Sequence, residues 1–199
     1  MNLNLFGKLA GVTALALGLS ACVDVDIDVA LTSTTTARAT MTQTMSADLY
    51  AMVKMSAEQA ETEEPGFCDE GTLTENGDGS ATCTIAEEGA FAELDLGQSE
   101  GGMSFTDAGP GLVRIALPTA DMTSELGMDA EMDEETKQMA LAFFEGHNIT
   151  VSFSGIEITD TNMTRSADGK SASQVIPMLD LINGTLDLPA ELYAVVRAP

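Results

Sequence analysis

The 199-residue chain contains one histidine, three cysteines, twelve methionines and no tryptophan, so few kinds of side-chain chemistry are open to it. Any general-base or triad scheme has to use His147. That residue follows Gly146 where a helix should end. The serines with small neighbours, Ser104 and Ser154, stand in strand-like stretches without the G-x-S-x-G turn that exposes a nucleophile. An exposed turn histidine is the expectation, and no catalytic residue is assigned. Asn76, Asp78, Ser80 and Glu87 fall at the first, third, fifth and twelfth positions of a calcium loop, but Ala81 stands where that loop needs glycine. Because "ATCTI" reads as a strand, Asn76 to Gly79 is expected to be a hairpin turn. Met122, Met128, Met132 and Met139 could offer thioethers to copper(I), yet methionine at helical spacing more often fills a core or forms an adaptable apolar contact. Asp24, Asp26 and Asp28 form a carboxylate row on one strand face. It should be solvated, and it would discourage strand pairing or contact with anionic lipid. No metal or cofactor is assigned.

Chemistry of another kind surrounds the first cysteine. The opening "MNLNLFGKLAGVTALALGLSAC" has one positive charge at Lys8 and an apolar run from Leu9 to Leu19 that is too short for a stable membrane span. Residues 1–21 are therefore expected to be a targeting segment. Leu19, Ser20 and Ala21 before Cys22 resemble the lipobox of bacterial lipoproteins, which implies a diacylglycerol on Cys22 and removal of the peptide before it. Two or three acyl chains hold a protein stably on a membrane where one chain is marginal. Val23, a residue other than Asp after the cysteine, points to the outer membrane in well-studied Gram-negative bacteria.

With Cys22 acylated, Cys68 and Cys83 are the only remaining pair, in a compartment where disulfides persist. They are expected to bond to each other. Two cysteines without a nearby histidine do not make a zinc site, which wants four ligands. The formal charge of −24 comes from 32 acidic against 8 basic residues. Such a surface repels phosphate backbones, so nucleic acid is excluded as a partner. The acids are spread from Asp24 to Glu191, as on a solvated surface. An apolar content of 44% excludes a disordered chain, and residues 22–199 suffice for one domain with a real core.

The elements that must hold these residues follow from periodicity. "VDVDIDVALTS" alternates, with Val23, Val25, Ile27, Val29 and Leu31 on one face. "TTARATMTQTM" alternates again, and the two should form a hairpin across Ser33 to Thr35. Ser46 can cap a helix carrying Leu49, Met52, Val53, Ala57 and Ala60 until Pro65. Further hairpins are expected around Asn76–Gly79 and Gly109–Gly111. Met132, Thr136, Met139, Ala140 and Phe143 predict a second helix from Asp133 to Gly146. "NITVSFSG" is a strand, "IEITDTNM" and "SASQVIPM" should flank a turn at Ala167–Gly169, and "LYAVVRA" should be the last strand after the short apolar piece "MLDLING". Many strands and two main helices without βαβ regularity predict an α+β fold with a largely antiparallel sheet.

The anchor followed at once by an alternating strand, a Thr-rich partner strand and a helix, with "ITVSFSGIEITDTNMTRSADGKSASQVI" near the end, resembles the LppM-type domain of bacterial lipoproteins. In that family a strand, a glycine and a second strand carrying "TN" lead through a polar turn to a final strand. The match covers the two ends of the mature chain. The Cys68–Cys83 segment and the Met-rich stretch have no clear counterpart, and the tryptophan expected after the last turn is missing. The resemblance implies a non-catalytic envelope domain, with lipid or glycolipid contact in some members, and it carries over no catalytic residue.

Together these features predict a lipid-anchored envelope domain that binds a protein partner or an apolar ligand. An envelope hydrolase and a copper or calcium lipoprotein are the competing classes. The apolar faces are rich in Met41, Met45, Met52, Ala37, Ala39, Ala57 and Ala60. Such residues either pack into a filled core or leave a groove between sheet and helix that would suit an acyl chain beside the anchor.

Overall fold

Alternation of apolar and polar residues shapes most of what the computed structural model describes, namely residues 23–59, 67–69, 71–94, 102–119, 122, 141 and 144–199. The segment 1–22 with Cys22, Ala60, most of the helix expected over 133–146, and Met128, Met132 and Met139 lie outside the described residues. Strand β1 (Val23–Leu31) runs antiparallel to β2 (Thr36–Met45), joined through residues 32–35. Helix α1 (Ala47–Gln59) follows, starting one residue after Ser46, whose carbonyl accepts the Tyr50 N–H. Then come β3 (Thr72–Glu75), β4 (Ala81–Ala90), a 3-10 turn (Phe91–Glu93), β5 (Ser104–Gly109) and β6 (Leu112–Pro118). The last part holds β7 (Asn148–Ser154), β8 (Glu157–Thr161), β9 (Thr164–Arg165), β10 (Ser171–Pro177), the short helix α2 (Met178–Ile182) and β11 (Glu191–Arg197).

Two sheets face each other. The larger has the order β3-β4-β2-β1-β7-β10-β9 and the smaller β5-β6-β11-β8. Of these pairings only β1 with β7 is parallel, so the fold is α+β with largely antiparallel sheets. The inward residues Val29, Ala37, Ala39, Val151, Phe153, Ala172 and Ile176 of the larger sheet meet Val113, Ile115, Leu192, Ala194 and Val196 of the smaller one in a single buried cluster. Within each sheet a small alanine stands beside a large residue, Ala172 beside Phe153 and Ala194 beside Ile115, an alternation that gives facing layers room to interdigitate. The core next to β1 is thus filled by a second sheet, and helix α1 covers only the end of the larger sheet near Val23, Met45 and Ala81.

Three expectations need correction. The turn at Ala167–Gly169 joins β9 to β10, while β8 pairs with β11 in the other sheet. The chain changes sheets at Asn162. Its side-chain amide donates to the Glu191 carbonyl and accepts the Tyr193 N–H, and Thr161 Oγ1 donates to the Tyr193 carbonyl. The "TN" pair therefore satisfies the neighbouring strand with side chains where the backbone ladder of β8 stops, which frees the chain to turn. On α1 the buried residues are Leu49 and Tyr50, with Val53 partly covered, whereas Met52 is 49% exposed and Ala57 is exposed too. The Tyr50 hydroxyl donates to Glu75 at 2.8 Å and its ring meets Phe67 edge-on at 6.5 Å. These contacts turn the first two turns of the helix inward and leave Lys54 to Ala57 exposed.

His147, too, departs from expectation. It is no exposed turn residue: the side chain is 21% exposed and lies against β1.

Candidate functional site

The carboxylate row begins at Asp24, where β1 and β7 start side by side. Asp24 Oδ1 accepts the backbone N–H of Asn148 at 2.9 Å, and Oδ2 lies 3.3 Å from His147 Nδ1. The ring nitrogen is buried and sits beside the carboxylate without the alignment of a hydrogen bond. Asp24 thus holds the first residue of a neighbouring strand, while Asp26 and Asp28 stay exposed, and contrary to expectation the row does not keep β1 from pairing, since β2 and β7 flank it on both sides. Loss of solvent around Asp28, and to a smaller extent the nearby charge of Asp26, raises its carboxyl above the usual range. Neither candidate serine joins His147. Ser104 lies on β5 of the other sheet, its hydroxyl directed to the Ala116 carbonyl, and Ser154 ends the same strand that His147 precedes.

The candidate calcium residues form a turn between β3 and β4. Asp78 Oδ1 accepts both the N–H and the hydroxyl of Ser80, which hold its carboxyl below the usual range. The Asn76 amide donates to Ser80 Oγ and Thr82 Oγ1. Glu87 lies well along β4, away from the turn. Among the described residues no group of three or more His, Cys, Asp or Glu side chains could hold a metal. Met122 packs against the core cluster.

Cys68, just before β3, and Cys83, on β4 and 2% exposed, are joined in a disulfide with their Cα atoms 5.4 Å apart. The bridge links the loop before the hairpin to its second strand. Gly71 lies against both sulfurs, where an added Cβ would come within 2.8 Å of Cys83 Sγ and of the Thr84 carbonyl.

Sequence reasoning missed one further place. A cavity of about 560 Å³ opens between the β1–β2 turn and the β5–β6 hairpin. Thr34, Thr35, Thr106 and Asp107 supply polar atoms along it, and Phe91 and Phe105 line it as a stacked pair, centroids 4.3 Å apart and planes within 8°. Phe91 stands in the 3-10 turn that follows β4 of the larger sheet and Phe105 on β5 of the smaller one, so no local pattern links them. A smaller hollow of about 410 Å³ lies at Tyr50, Lys54 and Glu75. There the Lys54 and Tyr50 hydrogen bonds hold the Glu75 carboxyl below its usual range.

No family model matches the chain, and no curated protein matches it. Among solved structures it is similar to the NMR structure of the folded domain of Mycobacterium tuberculosis LppM. The two share 11% sequence identity over 89% of this chain and 90% of that one, with a TM-score of 0.47. No helix among the described residues is long and apolar enough to cross a membrane.

Proposed function

We propose that this protein is a non-catalytic domain of the bacterial envelope, held by acyl chains on Cys22 at the periplasmic face of a membrane, the outer membrane by the residue after the cysteine. There it binds a protein partner or an apolar ligand. The observation that carries the reading is the position of β1. This strand begins at Val23, directly after Cys22, and is paired on both sides by β2 and β7. An acyl group on Cys22 would therefore sit one residue from the folded sheet, with no tether to let the domain wander. The Asp24 carboxylate beside His147 also supports a structural role for that histidine, since it fastens Asn148 of β7.

Two measurements test this. Cys22→Ser should release the protein from membranes or leave an unprocessed precursor, and the intact mass of wild type should include the acyl addition. An unmodified mature Cys22 refutes the anchor. His147→Ala should leave cellular function intact, whereas its abolition in a folded variant would favour the envelope hydrolase.

A further inference from the structure

The cavity at the Phe91–Phe105 stack lies at the end of the sandwich away from Val23. Registers fix this. Val23 pairs with Met45 and Met45 with Ala81 at one end of the larger sheet, and Leu31 pairs with Ala37 and Ala37 with Gly89 at the other. The cavity takes its walls from Thr34 and Thr35, just beyond Leu31, and from Phe91, just beyond β4. Nine residues of β1 separate the ends, about 30 Å of strand. If Val23 adjoins a membrane, the cavity opens into water.

Its lining selects a chemistry. The stacked rings offer π-faces or edges backed by the core, since both also pack against the buried cluster. Around them stand the hydroxyls of Thr34, Thr35 and Thr106 and the carboxylate of Asp107, all exposed. Asp107 Oδ1 accepts the Gly109 N–H at 2.8 Å, which orients the carboxylate and leaves Oδ2 to accept from a ligand hydroxyl. An acyl chain would cover Asp107 Oδ2 and the hydroxyls of Thr34 and Thr106 without hydrogen-bonding them. An anionic ligand would meet Asp107 and the −24 charge of the chain. A sugar ring suits both halves, because its C–H groups pack on apolar aromatic surface and its rim carries hydroxyl donors. The volume falls in the range of small-ligand sites, about 300–1,000 Å³.

We propose that this cavity binds a neutral oligosaccharide on the aqueous side of the envelope. The site rests on the fold; only its distance from the membrane rests on the anchor at Cys22.

The test titrates the full chain, held in phosphatidylethanolamine and phosphatidylglycerol nanodiscs or in plain buffer if it proves unacylated, with maltohexaose, cellohexaose, chitohexaose and an anionic hyaluronan hexasaccharide. At least one neutral hexasaccharide should bind by calorimetry with a Kd of about 1 mM or tighter, and the anionic one should not. Phe105→Leu, which keeps an apolar filler, and Asp107→Ala, at an exposed position, should each weaken binding about 10-fold. If Phe105→Leu does not fold, Thr106→Ala takes its place beside Asp107→Ala. Absence of binding by every neutral hexasaccharide overturns the proposal, as does binding that the folded variants leave unchanged. Failure to enter nanodiscs with glycan binding intact would count against the anchor alone.

Discussion

Asp24 and His147, one at the start of β1 and the other just before β7, bring the beginnings of two parallel strands together. One carboxylate oxygen takes the Asn148 N–H at 2.9 Å, and the other faces the imidazole at 3.3 Å. Parallel neighbours share no hairpin to set their register. A side-chain acceptor at the first rung therefore helps align β7 on β1. Asp24→Ala should lower stability by about 1 kcal/mol, because the Asn148 N–H loses a charged acceptor that water only partly replaces. Asp24→Asn retains an amide oxygen and should lose less. Urea unfolding followed by far-ultraviolet circular dichroism checks the order wild type, Asn, Ala; equal stability of the two variants would count against the N–H bond as the cause.

The disulfide should contribute through the unfolded chain. A separation of 15 residues between Cys68 and Cys83 corresponds to about 3 kcal/mol of loop-closure entropy. The double variant Cys68→Ala/Cys83→Ala should fall by that order in urea unfolding, and wild type should fall similarly in reductant. Alkylation before and after reduction should show two protected thiols, and free thiols at both positions in envelope material would refute the pairing.

Gly155, between β7 and β8, lies tightly against the last strand. A Cβ there would stand 2.5 Å from Val196 Cγ1 and 2.8 Å from the Arg197 carbonyl oxygen. The carbonyl belongs to a paired strand, and the Ile156 N–H donates to it, so the backbone cannot easily yield. Gly155→Ala should destabilise the fold by about 1–3 kcal/mol through overpacking. Thermal unfolding should show it as a Tm loss on the order of 3–10 °C, and an unchanged Tm would mean that the two sheets can part at this corner.

Asp28 predicts a pH effect of definite sign. Its carboxyl is raised in the folded protein, first by lost solvent and then by Asp26, so the folded state holds this proton to higher pH than the unfolded chain. Its contribution favours folding at pH below the unfolded value, near 3.8, and is lost as pH rises through the folded one. Asp28→Asn should then stabilise at pH 7 by about 0.5 kcal/mol after solvent screening, and hardly at all at pH 3. Tm measured against pH for the two proteins decides it: a gain that persists undiminished at pH 3 cannot come from this titration.

What the sequence by itself determined is mostly local. Strict alternation in "VDVDIDVAL" specifies a strand with one apolar face because side chains point to opposite sides of a pleat, and the structure buries Val23, Ile27, Val29 and Leu31 accordingly. Turn residues at Asn76–Gly79 and Gly109–Gly111 marked two hairpins for the same local reason. Alternation does not say which sheet a strand joins. "IEITD" and "SASQVI" look equally suited to pair across a turn, and they part because Thr161 and Asn162 satisfy the backbone of β11, some thirty residues downstream, with their side chains. His147 reads as a solvent residue from its neighbours in sequence, a glycine and an asparagine, while its neighbour in space is Asp24. The Phe91–Phe105 stack is likewise a contact between the turn after β4 and strand β5, and only the packing of the two sheets brings the rings, the threonines and Asp107 around one cavity.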